Sequence, residues 1–459
     1  MTPMKTTVKF GAALAAAITL SLTVGCSSVL DTEPYDRIAA NSEIVDAATA
    51  QAAINGAYDA LQGTGMYGQY LEVSSALVSH EAEWAGTFQY LGDMAVNRMT
   101  ADNAAVSTMW TSHYQQIDRD NTVLLHVPDV ANIPDAARDE ILGQAHFLRA
   151  LSYHNLVKYW GSVPMPLVPV SKPSDASNYT RAAVADIYTQ ILSDLDQAAT
   201  LVKNTTDTRR VSVTAIRALR ARVLLYRASI TGATTDYQGA LDAANAALAG
   251  NDALTAVPFA SLFTATGTNT AEDIFRVSFS TAERNSLANY YLAAGRFEAA
   301  ATNEIYNAFE ANDIRRGVTL ALRPNSTNKY QAMKFPTLTG TENPHVIRRA
   351  EVVLIKAEAL ARLNDLGGAV TEYNNVRARA GLPAHVLGVD VTTQDQVLAA
   401  IDHERQVELA FEGDRFPNLV RRGTAVAALG ISDRAFQAIF PIPITEITTS
   451  PKLTQNSGY

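Results

Sequence analysis

The chain has 459 residues, of which 47% are hydrophobic and 18% are charged. This composition excludes a disordered or fibrous protein, and the length predicts one large globular domain or two merged ones. The formal net charge of −9 argues against nucleic acid as a partner, because the phosphate backbone would be repelled. The single cysteine, Cys26, excludes an intrachain disulfide and a cysteine-based zinc site.

The first residues are typical of a bacterial secretory signal. Two lysines precede an apolar run over residues 10–24, which is too short to cross a bilayer comfortably. The run ends at Cys26 in a segment that resembles a lipobox, with Thr23 where a leucine is usual. We therefore predict that residues 1–25 are a lipoprotein signal peptide and residues 26–40 a lipid anchor and tether. The alternative is an ordinary secretory signal with an incidental cysteine.

From about residue 41, apolar residues recur at every third or fourth position, a period that predicts helices and not strands. The predicted helices cover residues 46–61, 110–124, 135–161 and 184–202. Two further segments, 212–250 and 347–381, look like helical hairpins, and the second has about the length of a tetratricopeptide unit. Because a hairpin must bury its apolar face on a neighbour, we predict a stacked all-α scaffold that is broken between the two units.

Three stretches, over residues 63–100, 258–343 and 417–459, lack a sustained period. Loops this long in a compact domain usually carry function.

The first irregular stretch opens with a G-x-G-x-x-G pattern over residues 63–68. This pattern follows a predicted helix instead of a strand, and no helix start is evident after it. We interpret it as a flexible turn and not as a dinucleotide-binding loop.

A predicted helix near the C-terminus carries a row of carboxylates, which comprises Glu404, Glu408, Glu412 and the nearby Asp414. Paired carboxylates perform glycoside hydrolysis, so an exported hydrolase that uses this acidic row is one hypothesis. Acids one helical turn apart more commonly form ion pairs, here with Arg415, Arg421 and Arg422. We favour the structural interpretation.

No histidine pair has metal-ligand spacing, and we expect no catalytic residues, no metal and no cofactor.

Aromatic residues flanked by polar residues mark two of the irregular stretches. Trp84 lies among acids, amides and glycine in the first, and Tyr290 with Tyr291 lies beside asparagine and arginine in the second. A sugar ring offers flat C–H faces and a rim of hydroxyl groups, which aromatic rings with polar neighbours can bind. Local packing is the alternative explanation for each of these residues.

Several motifs in the second half resemble those of the SusD/RagB family of outer-membrane lipoproteins. The motifs are R-A-E-V-V-L-I-K-A-E-A-L at 349–360, N-N-V-R-A-R-A-G-L at 374–382, the E-R and E-L-A-F-E-G-D-R-F run within 404–416, P-I-P at 441–443 and Q-N-S-G-Y at 455–459. Trp110, residues 114–121 and residues 149–164 match the N-terminal half of the family. In order and spacing, the motifs span nearly the whole mature chain.

The resemblance implies an all-α, SusD-like fold with tetratricopeptide-type hairpins packed against an irregular, loop-rich second half. It implies one merged unit, built from an N-terminal region over 41–255 and a C-terminal region over 256–459. It also implies a lipid-anchored outer-membrane protein that faces the exterior and is not an enzyme. Such a protein binds glycans, or in some members peptides, and works with a SusC-like TonB-dependent transporter barrel.

The ligand aromatics of the family have no fixed motif, so the resemblance places them only within the loops 65–100 and 280–335. It makes Trp110 and Trp160 scaffold residues, which leaves Trp84 as the remaining tryptophan. We predict eight ligand-binding residues, of which five stack on the ligand and three bind its hydroxyl groups: Trp84, Phe88, Tyr90, Tyr290 and Tyr291, then Asp93, Asn289 and Arg296. A third hypothesis is a protein-interaction scaffold that uses a concave helix face and is indifferent to the loop aromatics.

Overall fold

The computed structural model describes residues 44–459 except 173–174, 176–177, 251–253 and 265–268. The predicted signal peptide, Cys26 and the predicted tether lie outside the described residues. Asp46–Tyr459 forms one compact unit. In the described part of the chain, no helix combines the length and the apolar character that crossing a membrane requires.

Helices dominate both halves of the chain. In the first half they are α1 Ala47–Ala60, α2 Tyr70–Val78, α3 Gln89–Ala95, α4 Ala104–His126, α5 Asp135–Trp160, α6 Val184–Leu201, α7 Val213–Thr231 and α8 Thr234–Leu248. In the second half they are α9 Leu287–Tyr291, α10 Asn303–Ala308, α11 Arg315–Thr319, α12 Arg349–Arg362, α13 Leu366–Arg379, α14 Gln394–Glu408, α15 Arg415–Arg421, α16 Ala425–Ala428 and α17 Ile444–Thr449. The predicted long helices and both hairpins are confirmed.

The helix ends follow from local chemistry. Asp46 caps α1, because its side chain accepts a hydrogen bond from the Thr49 backbone N–H in a capping box. The predicted cap Ser212 accepts a hydrogen bond from the Ala215 N–H at the start of α7. That helix ends at Gly232, whose φ of 71° lies in the left-handed region that glycine tolerates without strain.

The helices stack in chain order from α4 to α8, with α1 against α4. α8 then packs directly against α12, which in turn packs against α13 and α14. A buried ion pair joins the two hairpins, since Arg222 Nε on α7 donates to Glu351 Oε1 on α12 at 2.7 Å. The two hairpins, which are separated in the sequence between residues 250 and 347, therefore form one continuous helical array in space. Only the tertiary packing shows this continuity.

Short strands organise the loop-rich regions. They are β1 Ala82–Trp84, β2 Asp273–Arg276, β3 Ala299–Ala301, β4 Leu320–Leu322, β5 Tyr330–Ala332 and β6 His345–Arg348. Four of them form an antiparallel sheet in the order β1-β3-β5-β4, and β2 pairs with β6. The pairing of Trp84 with Ala299 brings the first aromatic stretch of the sequence alongside the second.

The expectation about the glycine-rich segment is partly wrong, because α2 begins directly after it. Every residue of α2 is buried, including Glu72, Ser74 and Ser75, so the helix has no solvent-exposed face whose polar residues would mark a helical period in the sequence. The segment is also tightly packed, since a Cβ on Gly65 would lie 2.3 Å from the Thr108 carbonyl oxygen. It still follows a helix, α1, and lacks the strand that a dinucleotide site requires.

Candidate functional site

All the predicted ligand-binding residues except Tyr291 lie near the edge of the four-stranded sheet. Trp84 is the last residue of β1 and is 36% exposed as a residue, whereas Trp110 and Trp160 are buried in the scaffold as expected. The Trp84 ring lies on the backbone of α3, where a Cβ on Gly92 would come within 2.8 Å of it. Trp84 therefore offers an exposed aromatic ring on a rigid support.

Two further rings continue the surface. Phe88 and Tyr90 are half-buried, and their rings stack at a centroid distance of 5.3 Å and an angle of 21°. Tyr290 is 6.5 Å from Phe88, but it is only 6% exposed and supports the stack more than it presents a face. Tyr70, on the buried helix α2, shares a hydrogen bond of 2.8 Å with the Tyr90 hydroxyl.

Arg296 covers the stack from the second aromatic stretch. Its guanidinium carbon is 3.5 Å from the centroid of the Phe88 ring, a cation–π geometry. Its Nε donates to Glu298 Oε1 at 2.8 Å, and its Nη2 donates to Thr87 Oγ1 at 2.9 Å. We call Trp84, Phe88, Tyr90 and Arg296 the aromatic surface.

Glu298 lies beneath the aromatic surface, and its side chain is fully buried. Its Oε2 accepts hydrogen bonds from the backbone N–H groups of Thr87 at 2.9 Å and Phe88 at 3.0 Å, and from Trp84 Nε1 at 3.3 Å. Burial alone would raise the pKa of Glu298, but these donors and Arg296 hold that pKa below its ordinary value. The charged carboxylate thus fixes the ring, the turn and the guanidinium together.

The hydroxyl groups of the tyrosines are protonated at neutral pH. Burial and the neighbouring Tyr70 raise the pKa of Tyr290 to about 12, and burial likewise raises the pKa of Tyr90. Tyr90 therefore keeps a neutral hydroxyl group at the margin of the surface, able to donate and to accept hydrogen bonds.

The predicted polar residues lie at the rim. Asn289 is exposed, and its Oδ1 accepts a hydrogen bond from the Arg296 backbone N–H at 3.0 Å. Asp93 is half-buried and accepts from Gln89 Nε2 at 2.9 Å. Both residues keep acceptor capacity toward solvent, as carboxylate and amide oxygens have two lone pairs.

The placement of Tyr291 corrects the expectation that it stacks on a ligand. Its ring is 0% exposed and packs against Phe335 at 6.2 Å and Phe411 at 5.5 Å. A ring with no exposed face belongs to the core. Tyr290 and Tyr291 are both buried in α9, because their rings pack against different neighbours, Phe88 for Tyr290 and Phe335 with Phe411 for Tyr291. The sequence of the two residues does not reveal this burial.

The acidic row forms a buried ion-pair network, but its partners differ from the predicted ones. Helix α14 ends at Glu408, so Glu412 lies beyond it. Glu404 accepts from Arg315 and Arg377 at 3.0 and 2.6 Å. The other contacts of the row are Glu408 with Arg315, Arg348 and Arg379, Glu412 with Lys334 and Arg348, and Asp414 with Arg405. The predicted partners Arg415 and Arg421 instead bind Asp402 and Glu358.

Glu408 and Glu412, at the centre of the acidic row, lack the raised pKa of a general acid. Burial alone would raise the pKa of Glu412, yet Arg348 and Lys334 hold it at about 2, and Arg379, Arg348 and Arg315 lower that of Glu408. A glycosidase acid needs a raised pKa. The nearby trio Glu310, His403 and Glu404 has metal-ligand proximity, but Arg377 already binds both carboxylates at 2.6 Å.

Comparisons with known proteins agree with this geometry. Residues 29–225 match a family described as starch-binding and associating with the outer membrane, and residues 317–438 match the SusD family. SusD-like protein P2 of Formosa agariphila is 26% identical over 96% of this chain and 98% of its own length. SusD-like protein P38 of the same organism is 24% identical over 96% and 97%.

Solved structures share the fold. A SusD superfamily protein from Bacteroides vulgatus has a TM-score of 0.80 and 21% identity, over 90% of this chain and 99% of that chain. A laminarin-binding SusD-like protein has a TM-score of 0.76 and 24% identity, over 90% of this chain and 100% of that chain.

The helical array that carries an aromatic surface is the architecture of a helical-repeat binding protein. The chain belongs to the SusD/RagB family of carbohydrate-binding proteins, a family associated with the outer membrane, and the predicted all-α fold is confirmed.

Proposed function

We propose that this protein is a non-catalytic lipoprotein of the cell surface, which captures an oligosaccharide on the aromatic surface and delivers it to a SusC-like TonB-dependent transporter. The observation that carries the proposal is that Trp84 is exposed, with 36% of the residue accessible, while its ring is held in place by Glu298 and α3. A rigid aromatic ring with guanidinium, carboxylate and amide groups at its rim suits the apolar face and the hydroxyl edge of a sugar.

Trp84 is the expected anchor of the ligand. It is the most exposed tryptophan, and buried aromatic contacts supply most of the binding energy at such sites. Loss of one stacked sugar corresponds to roughly 2 kcal/mol, about a 30-fold loss of affinity. The similarity to a laminarin-binding protein supports a neutral glucan as the first ligand to test.

The test is titration calorimetry on soluble protein that starts at Ser27, against neutral oligosaccharides, anionic oligosaccharides and peptides. The same samples are checked for cleavage by chromatography. We expect binding of an oligosaccharide without cleavage and a loss of binding in Trp84→Ala. Val389→Ala is the matched control, because Val389 is 74% exposed in the 386–391 loop. Product formation, or affinity unchanged in Trp84→Ala, would overturn the proposal.

Anchoring and delivery are tested separately. The full chain should incorporate labelled palmitate and fractionate with the outer membrane, and Cys26→Ser should lose both properties. The lipidated protein should co-purify with a TonB-dependent barrel. Retention of the label in Cys26→Ser would contradict the predicted anchor.

A further inference from the structure

Arg296 raises the question of which sugars the aromatic surface accepts. A guanidinium on an open surface ordinarily binds carboxylate, sulfate or phosphate through two parallel hydrogen bonds. Here Nε is committed to Glu298 and Nη2 to Thr87, and among the described residues Nη1 has no recorded protein partner. The Nε–Nη2 edge of Arg296 is therefore occupied, and what remains for a ligand is the flat face and the other N–H groups of Nη1 and Nη2.

Glu298 also cancels the charge of Arg296. The carboxylate is fully buried, while the arginine side chain is 38% exposed, so the negative charge lies directly under the positive one. An anionic group placed on Arg296 would meet the repulsion of Glu298 from a short distance, through protein of low dielectric constant. A neutral sugar would meet no such opposition.

The charges around the Arg296–Glu298 pair are balanced as well. Lys329 and Glu83 form an ion pair of 3.2 Å on the sheet. Arg323 lies 4.3 Å from the centroid of the Phe297 ring, next to Arg296 in sequence, and Asp93 lies at the rim of α3. Among the described residues named here, two cations and two carboxylates surround the Arg296–Glu298 pair, so these neighbours add no net positive charge to attract anions.

We propose that Glu298 is the specificity-determining residue of the aromatic surface: it neutralises Arg296 from below, so that the surface accepts uncharged oligosaccharides and discriminates against anionic ones. This inference rests on the proposed function for its ligand. The charge arrangement itself can be tested without any ligand, so the two proposals can fail independently.

The ligand-free test is the quenching of tryptophan fluorescence by iodide, caesium and acrylamide. Trp110 is 2% exposed and Trp160 is 0% exposed, so quenching by these solutes reports on Trp84. In Glu298→Gln the uncovered Arg296 should raise iodide quenching about twofold and lower caesium quenching, because local potential sets counter-ion concentration. Acrylamide quenching should stay the same, since acrylamide is uncharged.

Two variants separate this effect from general damage. Asp196→Asn removes the same charge from α6, at an exposed ion pair with Arg220 and outside the aromatic surface, and should leave all three quenching constants near the wild-type values. Arg296→Gln exposes the carboxylate and should reverse the signs, with less iodide and more caesium quenching. A joint rise with all three quenchers in Glu298→Gln would show loosening and overturn the proposal. An equal effect of Asp196→Asn would overturn it too.

The ligand test uses one glucan in two charge states. A laminarin oligosaccharide and the same oligosaccharide oxidised at its primary hydroxyls to carboxylates have the same backbone. We expect wild type to prefer the neutral form at least tenfold and Glu298→Gln to narrow or invert this ratio. Equal wild-type affinity for both forms would overturn the inference. If wild type binds neither form, the proposed glucan ligand fails, and the quenching signs still decide the role of Glu298.

Discussion

The indole Nε1 of Trp84 donates a hydrogen bond of 3.3 Å to the carboxylate of Glu298, a residue 214 positions away in the chain. This contact links the exposed ring to a buried charge that also holds the 87–88 turn and Arg296. The ring of Trp84 is therefore pre-oriented before any ligand arrives, and pre-organisation reduces the entropy lost on binding.

Replacing Trp84 by Phe separates stacking from orientation. Phenylalanine keeps an aromatic face but loses the N–H, which leaves Glu298 one donor short. We expect a two- to tenfold loss of oligosaccharide affinity, smaller than that of Trp84→Ala, and a loss of stability of about 1 kcal/mol. Calorimetry and urea denaturation measure the two quantities. Affinity as low as that of Trp84→Ala would show that the hydrogen bond outweighs the ring.

Gly86 lies against the Glu298 carboxylate, and its lack of a side chain leaves room for that group. A Cβ at this position would lie 2.1 Å from Glu298 Oε2, so Gly86→Ala must displace the carboxylate. We expect a loss of about 1–3 kcal/mol in the free energy of unfolding and a clear loss of affinity. Gly317→Ala is the control, because Gly317 lies in α11 with no atom near its Cβ position and the exchange should be neutral or stabilising. Equal effects of the two exchanges would contradict this account.

The sequence predicts the scaffold better than the site. Amphipathic helices such as α6 have a clear period, whereas the fully buried α2 has none. The aromatic stretches are visible in the sequence, but their contact depends on the pairing of Trp84 with Ala299, which no local pattern encodes. Glu298 is therefore missed, although its spacing from Arg296 puts opposite charges two positions apart, as on one face of a strand. Tyr291 is the opposite case: the sequence predicts a surface aromatic residue, but its ring packs in the core.

The acidic row provides a test against hydrolysis. Glu408 is fully buried and pairs with Arg315, Arg348 and Arg379, so Glu408→Gln removes one counter-charge from each of three buried arginines. We expect a loss of roughly 3–5 kcal/mol in the free energy of unfolding. Under the proposed binding function we also expect wild type and variant alike to cleave no glycan. Asp433→Asn, at an exposed pair with Arg434, should change stability by less than about 1 kcal/mol. Wild-type cleavage abolished by Glu408→Gln in a folded protein would instead favour the hydrolase.

Glu358 predicts how stability depends on pH. Its carboxylate binds Arg421 at 2.6 Å and Arg422 at 3.6 Å, and although burial alone would raise its pKa, these arginines hold it at about 2. The unfolded chain has a glutamate pKa of about 4.3. Because the folded pKa is the lower one, this stabilisation is complete above about pH 4.3 and is lost as the pH falls toward 2.

Replacing Glu358 by Gln should therefore destabilise the fold most at neutral pH, by about 3 kcal/mol. The difference from wild type should shrink steadily as the pH falls from about 4.3 toward 2, because the protonated glutamic acid then resembles the amide. Urea denaturation of both proteins at pH 7, 4 and 3 measures the difference. A gap that stays constant over this range would mean that Glu358 stabilises the fold through packing, and not through its charge on Arg421 and Arg422.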